Sequence, residues 1–378
     1  MKIVVSPDSF KGSLTAMEAA REIGEGIKEV NPMIETVLLP VADGGEGTLE
    51  PLVMATNGHT VEVNVHDPIG RKISALYGVL GDGETCVIEM AKASGLMLLK
   101  DEEKNPLIAS TFGTGELILH ALDHGYKKFI IGIGGSATND GGTGMLRALG
   151  MKFLDDFGFE ILEGAKALAN LHKIDSTDLD KRIGECHFIL ACDVDNPFIG
   201  PNGATAIFGP QKGVTTELVD ELDQNLFHLA KKIEEETGIA LHDKPSAGAA
   251  GGLGGAFLAF FPVTLKPGIE VVMEAIDFKA QIEGADFIIT GEGKSDVQTL
   301  SGKAPIGVAN VAREMSVPVI LLSGFIEEES KQQLSSYFYK LESVVGGKIS
   351  KEASMEKADY YLRYRAKEMM QSILEKGV

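Results

Sequence analysis

The stretch KIVVSPDSFKGSLTAMEAAREIGEGIKEVNPMIETVLLPVA, residues 2–42, settles the architecture of the chain. KIVVS is a short β-branched run closed by Pro7, the pattern of a buried strand. After the turn, Thr15 and Glu18 are spaced as a capping box, and Met17, Ala20, Ile23, Gly24 and Ile27 share one face of the predicted helix. TVLLPVA then reads as a second strand running into DGGEGT. Strand, helix and strand in this order make a βαβ unit, which implies a parallel sheet with helices on its faces.

The same theme returns at the far end. ADFIITGEG (285–293) is strand and turn, APIGVANVAREM (304–315) is helix, and VPVILLSG (317–324) is strand. A helix near 327–336, a weaker strand KLESVVGG (340–347) and a terminal helix from about Met355 to Glu375 complete that end. The middle differs in texture. HTVEVNVHDP, RKISALYGVL and ETCVIEMA alternate between short polar turns, as in an antiparallel meander. A helix at GELILHALDHG and the strand KKFIIGI follow. A long helix from about Glu217 to Glu236 carries Leu218, Leu222, Leu226, Leu229 and Ile233 as one apolar stripe, with Gly238 as its stop. The expected fold is therefore α/β: a doubly wound, Rossmann-like parallel-sheet domain built from both chain ends (1–60 plus 283–378), with an inserted mixed α/β domain (61–282). Two crossings would place a cleft at the boundary, where ligand sites tend to lie.

Composition narrows the function. With 378 residues, 44% of them hydrophobic and 24% charged, the chain reads as an ordinary globular protein. A net charge of −20 argues against nucleic acid or an anionic membrane as partner. Residues 245–265 carry no charge, yet five glycines fill the first half and Pro262 interrupts the end. That segment reads as a buried glycine-rich loop and helix rather than a membrane span. Cys86, Cys186 and Cys192 form no CxxC pair, and an odd count without a leader fits a reducing cytoplasm.

Chemistry can reside in five glycine-rich clusters at predicted strand ends, the positions where open α/β sheets bind ligands. SPDSFKGS (6–13) offers Asp8, Ser9 and Lys11, in what is equally a plain capped turn. VADGGEGT (41–48) sets Asp43 and Glu46 where a helix would start, which alone stabilises that helix. GIGGSATNDGGTG (132–144) begins as a dinucleotide fingerprint, G-x-G-x-x-A, but TNDGGTG replaces the helix that should follow. Its glycines could instead form a nest of N–H groups for phosphate, with Asp140 as an oxygen ligand for Mg²⁺. ACDVDNPFIGPNGATAIFGPQKG (191–213) contributes Asp193, Asp195 and Lys212. TGEGKSDVQTLSGKAPIG (290–307) contributes Glu292, Lys294, Asp296, Gln298 and Lys303. GEGKS is not a P-loop, because the required first glycine falls on Ile288. There is no HExxH pair and no G-x-S-x-G elbow. Glycine nests, lysines and carboxylates suit phosphoryl transfer, which depends mostly on positioning and charge neutralisation.

As a set, PDSFKGSLTA, PVADGGEGT, GIGGSATNDGG, CDVDNP with FGPQKG, GAAGGLGGA and TGEGKSDVQTLSGKAPIGVA resemble the bacterial glycerate kinase family, the type found in glycerate and galactarate catabolism. The resemblance runs in the family's order from about residue 5 to about 325. It implies ATP-dependent, Mg²⁺-assisted phosphorylation of D-glycerate in the cytoplasm, with 2-phosphoglycerate favoured over 3-phosphoglycerate. It implies small-molecule partners, D-glycerate and ATP, while a homo-oligomer is allowed but not required. On this resemblance Gly134, Gly135, Ser136, Thr138, Asn139, Gly141 and Lys294 are expected at ATP. Asp140, Asp296 and Glu292 are expected at the metal, and Asp8, Ser9, Asp43, Glu46 and Lys212 at the substrate. Lys11 and Lys303 would neutralise the glycerate carboxylate and the transferring phosphoryl group, and Asp193 would take the hydroxyl proton. Two other readings stay open: a sensor that binds a sugar acid without turnover, and a kinase for a different hydroxy acid.

Overall fold

The computed structural model describes residues 1–375, with Glu46 and Lys348 outside the described set. The strands of its two larger sheets are, in chain order, β1 (Lys2–Val5), β2 (Glu35–Leu38), β3 (His59–His66), β4 (Lys72–Val79), β5 (Thr85–Glu89), β6 (Lys128–Gly132), β7 (His187–Ala191), β8 (Val263–Lys266), β9 (Phe287–Thr290), β10 (Val319–Ser323) and β11 (Lys340–Ser343). The chain divides into two compact units. Unit 1 comprises residues 1–43, 50–56 and 269–378; unit 2 comprises 44–49 and 57–268.

Unit 1 holds an all-parallel sheet in the order β11-β10-β9-β1-β2. Helix α1 (Ala16–Val30) connects β1 to β2, and its N-terminus carries the expected capping box: Glu18 N donates to Thr15 Oγ1, and Thr15 N donates to Glu18 Oε2. The apolar face of α1 buries Ala20, Ile23 and Ile27 against Ile3, Val5, Ile289 and Leu322 of the sheet. Burying a side chain of the size of Ile23 contributes roughly 1.5–3 kcal/mol. Leu362, Met369 and Met370 close the same core from the terminal helix Ala358–Glu375. Gly26 permits that closeness, because a Cβ there would strike the Arg363 carbonyl. The single terminal helix expected from Met355 is two helices, Lys351–Glu356 and Ala358–Glu375, separated at Lys357, whose φ of −131° leaves the helical region.

Unit 2 is built on a mixed sheet, β8-β7-β6-β5-β4-β3. β3, β4 and β5 form the antiparallel meander, and β5, β6, β7 and β8 run parallel. Helix α2 (Phe112–Asp123) makes the crossover from β5 to β6. Helix α3 (Thr216–Thr237) buries Leu222, Leu226, Leu229 and Ile233 and stops at Gly238, whose φ of +75° only glycine adopts cheaply. Segment 245–265 is a tight turn at Ala249–Gly252, helix α4 (Leu253–Phe260) and then β8. Among the described residues no helix is long and apolar enough to cross a membrane. All three cysteines are free thiols.

Candidate functional site

In unit 1 the strand order reverses at β1. The chain steps outward from β1 to β2, then returns at β9 on the other side and steps out to β10 and β11. Such a switch point is where open α/β sheets bind ligands, beyond the carboxyl ends of the two diverging strands. The loops after β1 and β9 are the SPDSFKG and TGEGKSD clusters. They are tied together: Asp8 N donates to the Gly291 carbonyl at 2.8 Å, and Thr290 Oγ1 donates to the Ser6 carbonyl at 2.8 Å. Gly291 and Gly293 allow the approach, since a Cβ on Gly291 would strike the Leu322 carbonyl and one on Gly293 would crowd Phe10 and Lys11.

The charges of Asp43 and Glu292 both act on Asp8 here. Asp8 is half-buried, and its side chain accepts the Ser9 amide at 2.6 Å. Burial pushes the Asp8 carboxyl up to about 7, and the charges of Asp43 and Glu292 push in the same direction. Glu292 is buried, and its Oε1 accepts from Ser295 Oγ at 2.9 Å and Thr299 Oγ1 at 2.6 Å. Burial raises the Glu292 carboxyl above its ordinary value, against the lowering effect of both hydroxyls and of Lys303. Lys303 is half-buried at the N-cap of helix α5 (Ala304–Glu314), and Lys11 is exposed in the β1 loop. Neither makes an ion pair among the described residues. Lys294 pairs with Glu327 at 2.6 Å and Asp296 at 3.0 Å. Burial would raise Asp296, but Lys294 and the Gln298 amide hold it below the ordinary carboxylate range. Glu46, expected at the substrate, lies outside the described residues.

Unit 2 treats its glycine loop differently. Only Gly134 and Gly135 of GIGGSATNDGG reach solvent, whereas Ser136, Thr138, Asn139, Asp140 and Gly141 are buried. Asp140 Oδ2 accepts from Thr111 N at 2.9 Å, Thr111 Oγ1 at 2.8 Å and Gly144 N at 3.1 Å, and Oδ1 accepts from Gly142 N at 3.0 Å. With three donors on Oδ2 and one on Oδ1, Asp140, expected at the metal, braces its own loop. Burial raises its carboxyl, and these four donors oppose the rise. Gly141 and Gly142 have φ of +64° and +79° and pack against Leu229 and Ala256, where a Cβ would clash. Gly141 N donates to the Gly251 carbonyl at 2.9 Å, locking the loop onto the GAAGG turn. Of the nest expected over residues 134–141, Ser136, Thr138, Asn139 and Gly141 are packed into the interior and Gly134 and Gly135 are at the surface.

Lys212, expected at the substrate, is wholly buried, and its Nζ donates to Ser136 Oγ and to the Thr138 carbonyl, both at 2.7 Å. Burial lowers its ammonium to about 7, and the Asp140 charge offsets part of that fall. Asp193 is exposed at the carboxyl end of β7, and its Oδ1 accepts the Gly268 amide at 2.9 Å. Sequence reasoning missed Thr111, Ser295, Thr299 and Ser323. Hydroxyls in turns are too common to signal a role without their partners.

A model of the glycerate kinase family matches residues 3–374. The chain belongs to the glycerate kinase family. It is 50% identical to the glycerate kinase of Bacillus subtilis (strain 168) over 373 residues, 99% of this chain and 98% of that protein. The glycerate 2-kinase of Escherichia coli (strain K12) is 49% identical over 329 residues, 87% of this chain and 86% of that one. The crystal structure of a protein assigned as glycerate kinase 2 from Salmonella typhimurium LT2 superposes with a TM-score of 0.88 at 44% identity, covering 100% of this chain and 99% of that one. Membership makes the chain a kinase, a transferase whose phosphoryl donor is ATP, and supports the two-part α/β fold. Among the described residues, no three His, Cys, Asp or Glu side chains converge to hold a metal ion.

Proposed function

We propose that this enzyme transfers the γ-phosphoryl group of ATP to the 2-hydroxyl of D-glycerate, in the cytoplasm, with Mg²⁺. The observation that carries the reading is the 50% identity to a glycerate kinase along 99% of the chain. The name of the E. coli relative, a glycerate 2-kinase at 49% identity, supports the 2-position.

The acidic group at the unit 1 switch point would hold the Mg²⁺. Burial first, and the charges of Asp43 and Glu292 after it, hold the Asp8 carboxyl near 7, and a divalent cation would relieve the repulsion between the carboxylates. Mg²⁺ commonly takes one or two carboxylates and completes its shell with water and phosphate oxygens, so a three-carboxylate cage is not required. Bound there, the ion would supply charge neutralisation to the phosphates. Lys303, at the head of an 11-residue helix, would add its cation to the positive end of the helix dipole and hold phosphoryl oxygens. Lys11 would pair with the glycerate carboxylate, and Ser9 would donate to it. Asp296 keeps Lys294 in place through their ion pair, so Lys294 reaches ATP only at the cost of an existing contact.

In unit 2 the backbone amides of Gly134 and Gly135 are the part of the glycine loop left for ATP. Asp193 is the proposed base. Its exposed carboxylate is oriented by the Gly268 amide and would accept the hydroxyl proton as the oxygen–phosphorus bond forms. A loose phosphoryl-transfer transition state asks little of that base, so orienting the hydroxyl is its larger task.

The test is ADP release over a panel of hydroxy acids with Mg²⁺-ATP. D-glycerate should give by far the highest kcat/KM. A different acid in first place would change the substrate, and no ADP with any acid would leave a binding protein.

A further inference from the structure

Glu292 is not left to itself. Ser295 Oγ and Thr299 Oγ1 both donate to its Oε1, at 2.9 and 2.6 Å. Ser323, the last residue of β10, lies with its Oγ 2.7 Å from Ser295 Oγ. The Asp296 amide donates to Thr299 Oγ1 at 3.0 Å. Glu292, Ser295, Thr299 and Ser323 are all buried. Each hydroxyl owns one proton. Ser295 spends its proton on Glu292, so the serine pair runs from Ser323 to Ser295. Thr299 also spends its proton on Glu292, and one of its lone pairs is taken by the Asp296 amide. Every donor therefore points toward Oε1, the direction an ionised carboxylate requires. Glu292 Oε2 makes no hydrogen bond among the described residues.

We propose that Ser295, Thr299 and Ser323 are positioning residues of the phosphoryl-transfer site. They clamp Oε1 of Glu292 and thereby hold Oε2 available to the Mg²⁺ of the bound nucleotide. The inference rests on the proposed placement of Mg²⁺ at the acidic group, and it adds three residues to that site that touch neither substrate nor metal. Partners that orient a metal-binding carboxylate typically change metal affinity by 10–100-fold when removed. A network serving only to tie β10 to the loop would change stability and leave metal affinity alone.

The experiment is a titration of the full-length enzyme with Mn²⁺ and ATP, read by electron paramagnetic resonance without any acid acceptor. Ser295→Ala should weaken Mn²⁺ binding about 10-fold. Ser295→Thr, which keeps the hydroxyl, should stay within about 3-fold of wild type, and Ser323→Ala should fall between the two. With acceptor present, the glycerate KM of folded Ser295→Ala should match wild type while kcat drops. Wild-type Mn²⁺ affinity in Ser295→Ala, or equal losses in the Ala and Thr variants, would overturn the inference. Glu292→Gln separates the two levels. If it binds Mn²⁺ as wild type does, the placement of the metal falls and the inference with it. If it binds weakly while Ser295→Ala binds normally, only the inference falls. The acceptor is absent from the binding step, so an error in its identity does not alter these outcomes.

Discussion

Lys212 Nζ, wholly enclosed, donates at 2.7 Å to the carbonyl of Thr138. That bond ties a lysine from the FGPQKG loop to the centre of GIGGSATNDGG and makes the pair part of the interior of unit 2. Its ammonium sits near 7, against about 10.4 in an unfolded chain. Between those values the unfolded state holds more protons than the folded one, so stability rises with pH. Below about 7 both states are protonated, and the full penalty of burying the cation remains. Urea unfolding at pH 7 and pH 9.5 should therefore show wild type gaining stability relative to Lys212→Met. Parallel behaviour of the two proteins would contradict the buried-cation description.

Asp140→Asn tests the brace. An amide NH₂ in place of one carboxylate oxygen faces N–H donors, leaving buried groups unpaired at about 1–3 kcal/mol each. The melting temperature should fall by several degrees, while Mn²⁺ affinity of the folded protein should be unchanged. A variant of normal stability with lost Mn²⁺ binding would return Asp140 to the metal.

Asp8→Asn should be more stable and less active. In the metal-free protein the Asp8 carboxyl is held near 7, so the folded state binds more protons than the unfolded state between about 4 and 7. Wild type should lose stability relative to Asp8→Asn as pH rises through that window, and the gap should be constant above it. Unfolding in EDTA at pH 5 and pH 8 measures this. The same variant should also lose Mg²⁺-dependent kcat. Wild type more stable than Asp8→Asn at pH 8 would refute the burial and crowding of the Asp8 carboxylate.

Asp193→Asn should lower kcat by about 10²-fold, the lower end for a general base, since a loose transition state leaves the proton late. Glycerate KM should hold within about 3-fold. An unchanged kcat with normal KM would remove Asp193 from the chemistry.

Much of this was legible in the chain, and what was not legible shares one cause. Thr15 with Glu18, and the Leu222–Leu226–Leu229–Ile233 stripe, are local patterns whose partners lie within a few turns, so spacing alone reveals them. Gly141 is different. A glycine with positive φ is needed equally for a phosphate nest and for a backbone pressed against Leu229, and the contact with α3 is visible only once the chain is folded. The burial of Lys212 was hidden for the same reason, because a loop lysine reads as exposed until another loop closes over it. Asp8 and Glu292 were both visible as polar residues at strand ends. That their loops meet follows from β9 pairing with β1, a contact between opposite ends of the chain.

The most direct test of the central claim is the proton-coupled ³¹P spectrum of the product formed from D-glycerate and Mg²⁺-ATP. Phosphate on the 2-oxygen couples to one proton and gives a doublet, whereas phosphate on the 3-oxygen couples to two and gives a triplet. The account predicts the doublet, appearing in step with ADP. A triplet, or ADP formed with no phosphoglycerate signal, would contradict it.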